Sequence, residues 1–358
     1  MNTIVVLGAG KIGRMVAHFL GHSGDYRVRI GDVSESAVER ITSQVKTAEG
    51  QRVDFESDAD IAAILEGATA VISCAPFHCN PRIAERARDA KVHYLDLTED
   101  VAVTRKVKAL AEGAESAFVP QCGLAPGFIT ICATDLVAGL DSVRDVRMRV
   151  GALPRYPSNM FRYNLTWSTE GLINEYCQPC EAVVDGQLTT LPPLQNLETL
   201  VIDGVEYEAF NTSGGLGTLA ESLKGKVRNL DYKSMRYPGH NELLRFLLRD
   251  LRMSERQDLL KEIFEHALPA TDQDQIVIFV SAVGQKDGRL LERTYAQTVY
   301  HQEIDGLPWS GIQITTAAGV CGVLDLLVEG KLPQQGFVRQ EDVDYGAFLQ
   351  NRFGRYYA

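Results

Sequence analysis

The first residues able to do chemistry stand near the start of the chain: Gly8-Ala9-Gly10-Lys11-Ile12-Gly13, with Asp32 nineteen positions further on. Glycines at this spacing let the backbone turn tightly at Gly8 and approach a pyrophosphate at Gly10. At Gly13 they let a helix pack closely on a strand. Lys11 and Ile12 open that helix, so its amide groups and positive end face the phosphates. A carboxylate at Asp32 suits the hydroxyls of an adenosine ribose and repels a 2′-phosphate, so the expected cofactor is NAD and not NADP. Arg40, the nearest downstream cation, falls on the following helix and reads as a solvated side chain.

These residues need a scaffold of one kind. An apolar run at 4–7 precedes the glycines, a helical pattern follows them, and a second apolar stretch at 26–30 ends on Gly31-Asp32. The alternation continues with a helix over 35–46, a short strand at 51–54, a small helix at 61–65 and an apolar strand at 69–73. A helix from Pro81, a strand at 92–95, a helix at 101–112 and a strand at 117–120 follow. Strands alternating with helices predict an α/β fold, a Rossmann-type doubly wound parallel sheet. Ligands of such sheets bind beyond the carboxyl ends of the strands. That rule adds Ser73, Ala75 and Pro76, then Asp96 and Thr98, then Cys122, Leu124 and Pro126 to the residues around the glycine loop.

After Pro126 the pattern changes. A helix over 128–140 is followed by alternating runs near 143–150, 181–184, 199–210 and 226–233. Two long strands, 275–283 and 290–300, are joined at Lys286-Asp287-Gly288. The expectation is a second, α+β domain on a mostly antiparallel sheet. Residues 1–125 form the dinucleotide-binding domain, 126–310 the domain for substrate binding and oligomerisation. The alanine-rich helix at 311–330 is expected to return to the first domain, closing it with 311–358.

A net charge of -11 and the lack of any basic block argue against nucleic acid or an anionic membrane as partner. The chain enters its first strand at once, so no signal peptide is expected, and apolar helices such as 127–140 are too short for a bilayer. A cytoplasmic protein follows as the default. Seven scattered cysteines suggest no disulfide framework. Cys177-Gln-Pro-Cys180 has no second ligand pair nearby, so no metal is expected.

Five further motifs carry a resemblance: Cys122-Gly-Leu-Ala-Pro-Gly127, Leu165-Thr-Trp-Ser-Thr-Glu-Gly-Leu-Ile-Asn-Glu-Tyr176, Leu223-Lys-Gly-Lys-Val-Arg228, Met235-Arg-Tyr-Pro-Gly-His240 and Ala270-Thr-Asp-Gln-Asp274. In this order, with the glycine loop, the chain resembles the saccharopine dehydrogenase-like family over nearly its whole length. Ala125 and the Trp167–Tyr176 run resemble the branch that oxidises the side-chain amine of L-lysine. Cys177-Gln-Pro-Cys180 and Asn211-Thr-Ser-Gly-Gly215 depart from the family's pattern. The resemblance implies NAD-dependent oxidative deamination of L-lysine or a related ω-amine, and a homo-oligomer, a dimer or dimer of dimers.

That chemistry needs a neutral amine, because the nitrogen lone pair must support the cation that hydride loss creates. A lysine amine with a pKa of about 10.4 must therefore first give up a proton. His240 or Asp96 are the candidate catalytic residues for proton transfer or for orienting water. Arg236 is the candidate for the substrate carboxylate, with Arg155 in reserve. Glu170 and Glu175 are candidates for the α-ammonium, and Thr98, Cys122 and Trp167 for lining the substrate. Three alternatives stay open: a secondary-amine oxidoreductase of the saccharopine dehydrogenase kind, a carboxy(nor)spermidine dehydrogenase, and a non-catalytic NAD-binding module.

Overall fold

Ile4, Val5, Val6 and Leu7 are fully enclosed, as a strand covered by helices on both faces requires. The computed structural model describes residues 1–358. It places this run in β1 (Asn2–Leu7), followed by β2 (Tyr26–Asp32), β3 (Ala48–Arg52), β4 (Ala70–Ser73), β5 (His93–Asp96) and β6 (Ala117–Val119). The intervening helices are α1 (Lys11–His22), α2 (Glu35–Gln44), α3 (Asp58–Leu65), α4 (Asn80–Asp89) and α5 (Val101–Leu110). All strands pair in parallel, in the order β6-β5-β4-β1-β2-β3, with the short strand Gly336–Phe337 outside β6. Strand order reverses direction at β1, so the loop after β1 opens at the topological switch point. β3 begins three residues before the predicted strand. Its sequence, Ala-Glu-Gly-Gln-Arg, is mostly exposed because it forms the sheet edge, where apolar content is not required.

The chain divides into two compact units, residues 1–131 with 313–358 and residues 132–312. The first division falls inside α6 (Phe128–Ala138). The second unit is built on eight strands: β7 (Ser142–Pro154), β8 (Cys180–Val184), β9 (Gln187–Leu191), β10 (Glu198–Ile202), β11 (Val205–Asn211), β12 (Asn229–Arg236), β13 (Asp274–Lys286) and β14 (Arg289–Tyr300). They run in the order β10-β11-β12-β7-β13-β14, with β8 and β9 as a hairpin off β12. All neighbours are antiparallel except β12 and β7. The predicted strand at 199–210 is a hairpin, because Asp203 and Gly204 both take positive φ and turn the chain. Asp287 and Gly288 do the same between β13 and β14.

Helices α7 (Thr169–Cys177), α8 (Leu219–Leu223), α9 (His240–Arg245) and α10 (Gln257–Ala267) complete this unit. Ser168 caps α7 by accepting from Gly171 N at 3.2 Å. Leu172, Ile173 and Tyr176 of α7 then join Tyr163, Phe210, Leu244, Leu260 and Phe264 in one core.

The second division falls inside α11 (Gly311–Val328). Asp274 caps this helix, its two oxygens accepting from Gly311 N and Ile312 N. By length and composition α11 could cross a bilayer, but 89% of it is buried inside the protein, as in a core helix. Beyond it, Arg352, Asn351 and Tyr26 converge on the buried Asp325 and fasten the C-terminal segment to β2.

Candidate cofactor and substrate sites

In the first unit the glycine loop has the form its spacing requires. Gly8 sits at φ +107°, and a Cβ there would stand 2.5 Å from Cys74 O. A Cβ on Gly13 would stand 1.8 Å from Gly8 O, so no side chain fits between loop and helix. Gly10 differs: a Cβ there meets nothing within 4 Å, and no side chain caps the helix it starts. Open space at a helix N-terminus that no side chain caps is what a pyrophosphate needs. Lys11 is exposed and Ile12 half-buried beside it.

Asp32 ends β2 with one oxygen accepting from Ala9 N at 2.6 Å and the other from Ser34 N at 2.9 Å. The same carboxylate thus ties the glycine loop to β2 and stays half-buried, with lone pairs left for a ribose. A dinucleotide fits this set: Gly8, Gly10 and Gly13 as backbone cradle, Lys11 and Ile12 at the helix start, and Asp32 at the ribose.

The neighbouring strand ends serve more as framework than as lining. Ser73 is buried and its hydroxyl donates to Asn80 Oδ1 at 2.7 Å, so only its backbone is available to a ligand. Ala75 is half-buried and Pro76 exposed. Asp96 is fully enclosed, accepting from Tyr94 Oη at 2.8 Å, Thr98 N at 3.1 Å and Gln121 N at 2.9 Å. Burial lifts its pKa to about 6, and those three bonds oppose the rise. Its geometry is that of a clamp between the loops after β5 and β6, which differs from the expected role of orienting water or the amine. Thr98 is likewise occupied, accepting from Asp100 N. Cys122 is enclosed and burial pushes its thiol up, away from reactivity. Leu124 and Pro126 are buried in a turn closed by Gly123 N donating to Pro126 O at 3.1 Å.

The second unit gathers Arg236, His240, Glu175 and Trp167 around two tyrosines. Arg236, last residue of β12, is 2% exposed. Its Nε donates to Tyr176 Oη at 2.9 Å and its Nη1 to Met235 O at 2.8 Å. The guanidinium carbon lies 5.2 Å from the Tyr163 ring centre and 5.6 Å from that of Tyr176. Burying a cation is costly unless it is compensated. Here two aromatic faces compensate it, together with the buried Glu175, which acts on it electrostatically. Both hydrogen bonds run to neutral acceptors, so neither neutralises the guanidinium, whose charge remains suited to a carboxylate.

His240 is 1% exposed and sits between Phe161 O, 2.9 Å from Nδ1, and Tyr176 Oη, 3.2 Å from Nε2. A carbonyl only accepts, so Nδ1 carries the proton and Nε2 accepts from the tyrosine. The polar chain therefore runs Arg236 to Tyr176 to His240 to Phe161. Burial and the nearby Arg236 charge push the histidine pKa down to about 3. So weak a base is a poor proton acceptor at neutral pH, and His240 reads as the anchor of this chain instead of the expected catalytic base. The start of α9 is capped by Glu208, which accepts from Gly239 N and Asn241 N.

Trp167 is half-buried and donates to Tyr163 Oη at 3.2 Å. Glu170, exposed in the first turn of α7, faces outward and pairs with Lys261 at 3.7 Å, outside the cluster. Arg155 is exposed and stacks over Tyr156 and Tyr300. Tyr163, Tyr176 and Phe161 are the members that sequence reasoning missed. Tyr176 ends a quoted motif, but at helical spacing from Leu172 it reads as core.

A Rossmann-type sheet with a glycine cradle and a ribose-side acid, joined to an α+β unit, is the organisation of an NAD(P)-linked dehydrogenase. Residues 4–119 match the saccharopine dehydrogenase NADP binding domain and residues 123–352 the saccharopine dehydrogenase C-terminal domain. The chain belongs to the saccharopine dehydrogenase family. Curated relatives include the mitochondrial alpha-aminoadipic semialdehyde synthases of Rattus norvegicus, 19% identical over 197 residues, and Bos taurus, 19% over 194. These matches cover 52% of this chain and 21% of each relative, so the chain spans about a fifth of their length. Among solved structures, the apo L-Glu-forming saccharopine dehydrogenase of Saccharomyces cerevisiae aligns with a TM-score of 0.82 at 14% identity. That alignment covers 98% of this chain and 96% of that one, a likeness of fold.

Proposed function

We propose that this chain is an NAD-dependent dehydrogenase that oxidises the side-chain amine of L-lysine, as lysine 6-dehydrogenase does. Lysine, NAD⁺ and water would give 2-aminoadipate 6-semialdehyde, which cyclises to the imine, with ammonium, NADH and a proton. The observation that carries the cofactor choice is the Asp32 carboxylate, already bonded to the glycine loop at Ala9 N. A 2′-phosphate would bring a second negative charge against it. The family's first-domain description names NADP, and Asp32 is the reason to read NAD here.

The bound nicotinamide supplies a hydride acceptor. The chain's own residues bind and orient the two reactants. Gly10 and the start of α1 hold the pyrophosphate, Asp32 holds the ribose, and Arg236 binds the substrate carboxylate. Tyr176 and His240 orient the guanidinium, and Glu175 balances its charge and meets the α-ammonium. Lysine as substrate is supported by the Trp167–Tyr176 run, by Ala125, and by relatives whose name includes alpha-aminoadipic semialdehyde. A homodimer through the second unit's sheet belongs to the same reading. It is supported by β14, a twelve-residue edge strand with mostly exposed side chains.

Initial rates of NADH or NADPH formation with lysine, saccharopine and a panel of ω-amines test the proposal. Lysine turnover with NAD is the expected result. Turnover of saccharopine without lysine would overturn the substrate, and preference for NADP would overturn the cofactor. Reductive activity with a diamine and aspartate semialdehyde would move the assignment to a carboxy(nor)spermidine dehydrogenase. NADH binding with no amine oxidation would leave a non-catalytic module. Arg236→Ala should raise KM for lysine far more than KM for NAD.

A further inference from the structure

We infer a zinc-class metal site on the first unit, formed by Glu56, His78 and Cys79. Glu56 lies in the turn between β3 and α3. His78 and Cys79 lie in the single 3₁₀ turn Phe77–Cys79 that connects β4 to α4. Folding brings a carboxylate oxygen of Glu56, a ring nitrogen of His78 and the Cys79 sulfur to within 4.8 Å of one another. Donor atoms around a tetrahedral zinc stand about 3.3 to 3.8 Å apart, given metal–ligand bonds of about 2.0 to 2.3 Å. His78 is exposed, so rotation of its ring narrows that difference, while the buried Cys79 supplies the fixed point.

The donor set defines the ion. Thiolate, imidazole and carboxylate together favour zinc over magnesium or calcium, which take oxygen ligands. Three protein ligands leave a fourth position for water, the pattern of an open site. The carboxylate is also held in place from behind. Arg82 Nη2 stands 3.3 Å from Glu56 Oε2, and Nη1 donates to Glu56 O at 2.6 Å, leaving the second carboxylate oxygen for a metal. Arg82 Nη1 further reaches Asp58 at 3.4 Å, which fixes the turn to the start of α3. Such outer partners orient metal ligands.

The consequence is mechanical. A metal at this point staples the β3–α3 turn to the segment that continues directly from Ser73, Ala75 and Pro76 on the cofactor side of the sheet. Zinc binding would therefore restrain the loop after β4.

The experiment uses the full-length, reduced and chelator-treated protein, with Co²⁺ and Zn²⁺ alone as probes and no substrate or dinucleotide. Its outcome is thus independent of the proposed reaction. Co²⁺ should bind one to one, with a thiolate-to-cobalt charge-transfer band that Zn²⁺ displaces. Cys79→Ser should abolish the band. His78→Ala and Glu56→Gln should each weaken binding about tenfold or more. Because both positions are exposed, these variants keep the test valid if Cys79→Ser fails to fold. A Cys177→Ser/Cys180→Ser variant should bind as wild type does. Absence of the band, its persistence in Cys79→Ser, its loss in the double variant, or unchanged affinity in both His78→Ala and Glu56→Gln would overturn the inference.

Discussion

Two glycines three positions apart have opposite constraints. The Cβ of Gly13→Ala would fall 1.8 Å from the Gly8 carbonyl oxygen, whereas that of Gly10→Ala would enter open space. Gly13→Ala should therefore cost about 3 kcal/mol or more in folding stability. Gly10→Ala should stay within about 1 kcal/mol of wild type yet lose dinucleotide affinity. Urea denaturation beside NADH fluorescence titration separates the two; equal stability losses would contradict the cradle. Asp32→Ala removes the acceptor for Ala9 N and Ser34 N as well as for a ribose. We expect KM for NAD to rise about tenfold or more and the gap between NAD and NADP to narrow. Steady-state kinetics with both cofactors check this, and an unchanged preference would remove the case for NAD.

At the level of elements, much of the second unit's site depends on how helices begin. α9 starts at His240 because Gly239 takes φ +96° and Glu208, across from β12 on β11, accepts from Gly239 N and Asn241 N. Glu208→Ala leaves the buried Asn241 amide and the more exposed Gly239 amide without their acceptor. Stability should fall by about 2 to 4 kcal/mol, read from the shift in chemical denaturation midpoint. A shift under 0.5 kcal/mol (about the scatter for a surface change) would show that α9 is held by packing alone. The placement of Tyr176 follows the same logic, since the Ser168 cap sets the start of α7 and hence which side chains face the core.

For the molecule as a whole, His240 imposes a pH dependence with a definite sign. Its pKa is about 3 in the fold against an ordinary 6.5. Between those values the unfolded chain binds a proton that the native ring does not, so stability falls as pH drops through the window and is fully present above 6.5. Each pH unit inside it is worth about 1.4 kcal/mol. The enclosed Asp96 and Asp274, both lifted to about 6 from 3.8, act oppositely, losing stability as pH rises between about 4 and 6. Comparison with His240→Asn isolates the histidine. The gap between wild type and variant should shrink on going from pH 7.5 to pH 5, and a constant gap would mean that the ring titrates in the fold as it does in the unfolded chain.

The sequence by itself determined the elements with local causes. The glycine loop, the change of pattern after Pro126 and the parallel character of the first sheet follow from hydrophobic period and turn chemistry, which act over a few residues. Asp32 was legible because its place is set by one strand–turn–helix–strand unit. The remainder depended on distance in sequence. Asp96 read as an available acid until Gln121, twenty-five positions away, was seen to occupy it. His240 read as a base until Phe161 and Tyr176 fixed its proton and buried it. Glu170 and Glu175 could not be told apart until α7 packed and turned one of them outward. Whether a titratable side chain is free to react depends on what folding brings around it. That is decided by tertiary packing, which leaves no period or motif in the chain.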